Sequence, residues 1–449
     1  MALPGGLFSK NKGMDKPNII LCMADDLGWG DPGFNGNSII RTANLDAMAR
    51  AGMRFTRFYS AAPVCSPTRG SCLTGRHPYR YGVFFANVGH MLEEEITLAE
   101  ALKMQGYITG HFGKWHLGTL TTTEKDSNRG GPRGAKHYSP PTDNGFDVCF
   151  STEAKVPTWN PMKEPETNQP YGTSYWREDG TKATNNLDGD DSRVIMDRVI
   201  PFIRNAVDEG KPFLAVVWFH APHGPVVAGP KYRKMYSQYS EDEQHYYGCI
   251  TAMDEQMGRL RDWLRELGIA DNTMLWFCSD NGPEGRDGKK GRYRGSAGPF
   301  RGRKRSLFEG GVRVPGLLEW PAHIKDGQVT DNLCCTSDYF PTVLDVLGFR
   351  IKRQPEPIDG VSLMPLIDGK MAKRPVPIGF ESDKQVSLTD NRYKIYSKDN
   401  GKTYMLFDLI DDPGESRDLA AEKPQILQSM KATLEQWRKS CRDSLEGKD

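Results

Sequence analysis

Short apolar runs recur along the first three-quarters of the chain, and each ends abruptly in acidic, basic or amide side chains. Asn18–Met23, Ile108–Phe112, Phe213–Phe219 and Thr273–Ser279 carry β-branched and aromatic residues in unbroken succession, the pattern of strands covered on both faces. Between them the polar positions return with helical spacing. Thr97 with Glu100 and Ser240 with Glu243 have the separation of capping boxes and open helices, the second predicted to run to about Leu267. This alternation, from Asn18 to about Leu347, predicts an α/β fold with a large, mostly parallel central sheet sandwiched by helices. From about Asp368 the pattern changes to short strands and a final amphipathic helix from about Lys423 to Cys441. A small C-terminal subdomain with a short antiparallel sheet and one helix is expected there, giving units 15–367 and 368–449.

The ends of the apolar runs carry the chemistry. Asp25 and Asp26 follow the first run, at the carboxyl edge of a sheet where open α/β folds bind ligands. Adjacent carboxylates repel unless positive charge lies between them, which points to a hard cation with oxygen ligands. Asp280 and Asn281 follow the Thr273–Ser279 run in the same way, and three carboxylates with an amide suit calcium or magnesium better than zinc. Lys114 and His116 follow another run, two positions apart and so on one face of an extended stretch, and His220 and His223 follow a fourth.

Residues 65–76 read CSPTRGSCLTGR. Ser66 is a plausible N-cap and Pro67 fits the first helical position, which sets Cys65 at the positive end of a helix with Arg69 one turn on. The string resembles the signature of the formylglycine-dependent sulfatases, of the alkaline phosphatase-like superfamily. GKWHLG, SDNG with its downstream EGGVRVP, and LFDLIDDPGESRDLA also look like segments of that family, in its order, between Asn18 and about Ala420. The resemblance implies that a formylglycine-generating maturation enzyme oxidises Cys65 to 3-oxoalanine, whose hydrate attacks sulfur. It assigns Asp25, Asp26, Asp280 and Asn281, with the group made from Cys65, to one Ca2+ site, Mg2+ being an alternative. Asp280 would help to activate the nucleophile and Arg69 would orient it. Lys114 and Lys304 would hold the sulfate oxygens, His223 would protonate the leaving alcohol, and His116 would deprotonate the second hydroxyl so that sulfate is expelled. His220 is an extra histidine, for substrate contact or for support. Arg303 stands where relatives often have a second glycine, so Arg303 and Arg305 compete with Lys304 for its role.

GFDVCFSTEAKVPTWNP looks like microbial polysaccharide sulfatases, which implies a sulfated carbohydrate substrate. Three polar insertions, 119–144, 151–190 and 283–305, adjoin the motifs, and long loops of this kind are usually functional. They are expected to wall the pocket, with His137, Trp159, Tyr175, Trp176 and Arg177 stacking on or bonding to a sugar. Two other readings fit less well: a phosphoester or phosphonate hydrolase on the same fold, and a sugar-binding homologue whose cysteine is never modified.

Composition narrows the partners. With 59 Lys and Arg against 58 Asp and Glu in 449 residues, the net charge of +1 implies no general surface for nucleic acid or other polyanions. No apolar run is long enough to cross a membrane. The segment MALPGGLFSKNKGMDKP lacks the apolar stretch of a secretory leader, although the resemblance implies a periplasmic or secreted protein. Nine cysteines, Cys334 and Cys335 among them side by side, show neither zinc spacing nor a disulfide framework.

Overall fold

The computed structural model describes residues 16–285, 292–325 and 327–448. Ten strands form one sheet: β1 (Asn18–Ala24), β2 (Met53–Tyr59), β3 (Ile108–Lys114), β4 (Val148–Thr152), β5 (Trp176–Arg177), β6 (Phe213–Trp218), β7 (Thr273–Ser279), β8 (Arg313–Glu319), β9 (Gln328–Thr330) and β10 (Cys334–Cys335). Their order is β10-β2-β8-β7-β1-β6-β3-β4-β5, with β9 added to β2. The run from β7 to β4 is parallel throughout, and β8 is antiparallel to both β7 and β2.

Strand alternation explains the layers. Ile19, Leu21 and Met23 of β1 join Leu214, Val216 and Trp218 of β6 in one core, whereas Ile20, Cys22 and Ala24 join Phe213, Ala215 and Val217 in another on the opposite face. Helices Cys65–Thr74, Leu98–Lys103 and Tyr339–Val346 cover the first, and Ala43–Ala51, Asp191–Asp208 and Glu241–Glu266 cover the second. A sheet buried on both faces needs the unbroken apolar runs seen in the sequence. Both capping boxes form: Thr97 and Ser240 each accept from the backbone N–H three residues on, and Glu100 and Glu243 return the bond.

The small antiparallel sheet runs β11 (Ile378–Ser382), β12 (Gln385–Thr389), β13 (Tyr393–Ser397) and β14 (Met405–Asp408). One of its faces packs Val386, Leu388, Ile395 and Leu406 against Met430 and Leu434 of the last helix, Pro424–Leu445, which runs four residues beyond its predicted end. The other shares a core with the large sheet, where Phe380 and Phe407 meet Tyr59, Leu307 and Val312. No helix among the described residues is long and apolar enough to cross a membrane, and all nine cysteines are free and buried.

A buried ionic cluster ties the two sheets. The Lys394 ammonium on β13 lies 3.0 Å from Glu309 and 2.9 Å from Glu415, all three side chains fully buried. Burial works against the lysine charge, but Glu415 and Glu309 outweigh it and raise its pKa. Glu309 also accepts from Tyr59 Oη at 2.6 Å, so the cluster reaches β2. Lys394→Met leaves two carboxylates buried without their cation and is expected to lower stability by about 3–5 kcal/mol in denaturant unfolding.

Candidate active site

The strands that run with β1 all point their carboxyl ends to one edge, and the motif residues gather there. β1 delivers Asp25 and Asp26, β7 delivers Asp280 and Asn281, β3 ends on Lys114, β6 leads to His223, and β2 leads into the helix that begins with Cys65. Lys304 arrives from the opposite chain direction, just before the turn that feeds β8. That turn is held closely: Gly282 N–H donates to Gly311 O at 2.9 Å, and a Cβ at 282 would fall 1.9 Å from the Gly310 oxygen. Glycine is the residue that fits there.

Carboxylate oxygens of Asp25, Asp26 and Asp280 lie within 4.8 Å of one another, and within the same limit an Asp25 oxygen meets Cys65 Sγ and a His223 ring nitrogen. Three cations answer the three acids. Lys114 Nζ lies 2.6 Å from Asp25, Lys304 Nζ 2.6 Å from Asp26, and Arg69 Nη2 2.7 Å from Asp280 and 3.6 Å from Asp25. All are buried. Burial favours a neutral Asp25, but Lys114, His223 and Arg69 outweigh it and hold the carboxyl well below its usual range. Asp280 goes the other way, pushed up to about 7 by burial and by Asp25. Two oxygens in the cluster, Asp25 Oδ1 and Asn281 Oδ1, are buried without a hydrogen-bond donor among the described residues. Such acceptors are costly unless something positive reaches them, and a divalent cation with oxygen ligands fits this donor set.

Cys65 lies at the inner wall of a cavity of about 360 Å³, which Lys114, His116, His223, Lys304, Asn87, Asn128, Lys155, Glu284, Tyr293 and Arg305 also line. The helix starts earlier than its sequence suggests: Val64, in extended conformation, is the N-cap, and neither Ser66 nor Pro67 holds its expected place. Cys65 is thereby in the first turn, where backbone N–H groups lack helical partners. As a thiol it is 2% exposed, and burial raises its pKa despite Lys114 and Lys304.

His116 and Lys114 share the cavity by a turn rather than by strand alternation. Trp115 and His116 N–H donate to the Thr152 and Glu153 carbonyls, and His116 takes a left-handed φ of 60° that carries its ring back to the edge. Its Nε2 lies 3.0 Å from Asn87 Oδ1, an acceptor, a pairing that assigns the proton to Nε2 and the lone pair to Nδ1, which is buried with no hydrogen-bond partner among the described residues. Burial, Lys114 and Arg69 lower its pKa well below the usual range, leaving a neutral base. His223 is also pushed down, to about 4, mainly by burial, and its Nε2 lies 3.6 Å from Asp26.

A family model described as Sulfatase matches residues 17–349. The chain belongs to the sulfatase family. A second model, N-sulphoglucosamine sulphohydrolase, C-terminal, matches residues 298–440 of this sulfatase. The pig (Sus scrofa) N-acetylgalactosamine-6-sulfatase is 32% identical over 399 residues, covering 85% of this chain and 71% of its own. The rat (Rattus norvegicus) arylsulfatase G is 33% identical over 395 residues, covering 79% and 69%. The solved structure of Ps i-CgsB aligns with a TM-score of 0.81 at 27% identity, over 94% of this chain and 93% of that one, and the same protein has been solved in complex with k-i-k-neocarrahexaose. The protein is thus a sulfuric ester hydrolase with the alkaline phosphatase-like fold, from a family that generally uses formylglycine and a divalent metal.

In this sulfatase the expected sugar contacts fall elsewhere. His220 is fully buried, with Nδ1 2.8 Å from Asp191 Oδ2 and Nε2 2.8 Å from Thr152 Oγ1, so it braces the wall and does not face the cavity. Tyr175 is equally buried, stacked on Phe150 and donating to Asp191 at 2.6 Å. Trp176 and Arg177 form the edge strand β5, beyond β4 at the flank of the sheet, and line a separate small recess. Trp159 lies across Gly229, outside the cavity lining. His137 borders a neighbouring cleft. Arg303 points its guanidinium at the Glu284 and Gly295 carbonyls, which leaves the acidic cluster to Lys304.

Asn87 and Glu284 were not legible as site residues. Asn87 adopts a left-handed φ of 62° in an unremarked loop, and Glu284 receives Arg305 at 2.6 Å and Lys304 at 3.6 Å on the cavity rim. Asn87→Ala strands the His116 Nε2 proton and is expected to lower kcat about 10- to 100-fold in steady-state kinetics on a sulfate ester. Asn87→Asp, which keeps an acceptor oxygen at the same reach, recovers part of that loss.

Proposed function

We propose that this sulfatase hydrolyses sulfate esters of a carbohydrate, with residue 65 working as formylglycine beside a calcium ion. The observation that carries the reading is that Cys65 and two lysines, drawn from sequence positions far apart, line one cavity directly against the buried Asp25–Asp26–Asp280 cluster. Asp25, Asp26, Asp280 and Asn281 would hold the ion, with the hydrated group at position 65 facing them. When bound, the ion supplies two positive charges to a cluster whose three acids already face three side-chain cations, so that the pocket becomes attractive to an anion. The hydrate supplies the nucleophile that an unactivated buried thiol does not.

The remaining work falls to this chain's own side chains. Lys114 and Lys304 line the cavity and hold the nonbridging oxygens; burial opposes the charge on Lys304, but Asp26 keeps it protonated. Arg69 donates to Asp280 and to the Lys114 carbonyl, which fixes the wall behind the nucleophile. His116, neutral and with a free Nδ1 lone pair, accepts a proton at position 65. His223, partly exposed to the cavity, serves the leaving oxygen; the negative charge of a bound sulfate offsets Lys304 and favours its protonated form. The carbohydrate class is supported by the names of the relatives, an N-acetylgalactosamine-6-sulfatase and a protein solved in complex with k-i-k-neocarrahexaose.

Four measurements test the reading. Mass spectrometry of the peptide spanning residue 65 in active protein is expected to give formylglycine, installed by a maturation enzyme, and Cys65→Ala is expected to abolish release of sulfate from sulfated sugars. Unmodified cysteine in active enzyme, or faster cleavage of nitrophenyl phosphate than of nitrophenyl sulfate, would overturn it. Calcium at about a hundredfold excess over its Kd should add about 2.7 kcal/mol to unfolding free energy in thermal or denaturant melts, and Asn281→Leu should reduce that gain.

A further inference from the structure

Beside the Cys65 cavity lies a second, larger opening of about 740 Å³, bordered by Lys125, Arg133, Lys136 and His137 and built wholly from the 119–144 insertion. Asn128 borders both openings, and its Nδ2 donates to Asn87 Oδ1 at 3.3 Å, so the two are neighbours across one thin wall. That wall is fixed: Arg129 Nη1 donates to the Asn87 and Gly89 carbonyls.

The charges around this cleft are one-sided. Lys125, Arg133 and Lys136 are exposed and make no ion pair or hydrogen bond among the described residues. None of the acids of the same stretch borders the cleft: Glu124 pairs with Lys182 at 2.5 Å, Asp126 is buried, and Asp143 is exposed outside the lining. His137 Nδ1 lies 3.3 Å from His90 Nδ1, and both rings are held toward the neutral form by burial and by Arg129, as expected in a positive field. A chain whose acids and bases almost balance has thus gathered unpaired cations next to its reaction centre.

We infer that this cleft is a subsite for a second anionic group of the substrate, a sulfate or a uronic carboxylate on a sugar adjoining the one whose sulfate is removed. The inference rests on the glycan reading above and deepens it: the preferred substrate is a polyanionic glycan, and the small neutral remainder of an aryl sulfate leaves this cleft empty. The exposed cations hold the chain by long-range attraction that salt weakens.

The test uses three oligosaccharides that share the hydrolysed sulfated sugar and differ in its neighbour, which is neutral, sulfated or a uronate. The parent enzyme is expected to favour one or both charged neighbours over the neutral one, less so as salt rises, and the better arm identifies the group. In Lys125→Gln/Arg133→Gln/Lys136→Gln the ratio of kcat/KM on the charged to the neutral substrate should fall about tenfold. Equal rates on all three, or an unchanged ratio in the variant, would overturn the subsite. If the parent cleaves none of them, the catalytic reading fails instead, and the cleft is judged by calorimetry of a heparin tetrasaccharide binding to the Cys65→Ala protein: affinity about tenfold weaker in the triple variant supports it, and equal affinity defeats it.

Discussion

Three carboxylates brought within touching distance at the ends of two neighbouring strands form the constraint on which the rest of the site depends. β1 and β7 pair in parallel register from Asn18 with Thr273 to Ala24 with Ser279, so the next residues of each strand emerge side by side. Taking Asp25, Asp26 and Asp280 out of water in that arrangement is unfavourable unless positive charge is supplied from several directions. Arg69 comes from a helix, Lys114 from a third strand and Lys304 from the turn before β8. The same compensation that makes the acids tolerable places two ammonium groups and a guanidinium around residue 65. Electrostatic necessity and catalytic arrangement are one structure.

Of the eleven non-glycine residues with positive φ among the described residues, four stand at this edge. Asp26, Asn87, His116 and Arg305, none of them glycine, hold left-handed φ values between 60° and 73°. Such conformations cost free energy and persist where the surroundings over-determine them. For His116 the reason is visible: the turn lets Trp115 enter the core while Lys114 and His116 both face the cavity.

The central layers and the acidic cluster were legible in the sequence because both rest on local signals. Runs such as Thr273–Ser279 end where the strand ends, and Asp280 and Asn281 follow at once. The capping boxes at Thr97 and Ser240 are equally local. What failed depended on long-range placement. Trp176 and Arg177 look like sugar contacts in a polar loop, but backbone pairing with β4 turns them to the flank of the sheet. His220 and His223 are three positions apart, yet the turn sends one ring into the wall between Asp191 and Thr152 and the other toward Asp26. Asn87 bears no motif; its part follows from contacts with His116 and Arg129 that no spacing reveals.

The depth of residue 65 sets an order of events in the life of the chain. Only 2% of it is exposed, at the wall of a cavity whose lining includes Glu284, Tyr293 and Lys304, more than two hundred positions downstream. A modifying enzyme that needs the bare segment around residue 65 would reach it more readily before those downstream residues have packed against it, so the order in which the chain is made and folded bears on the finished enzyme.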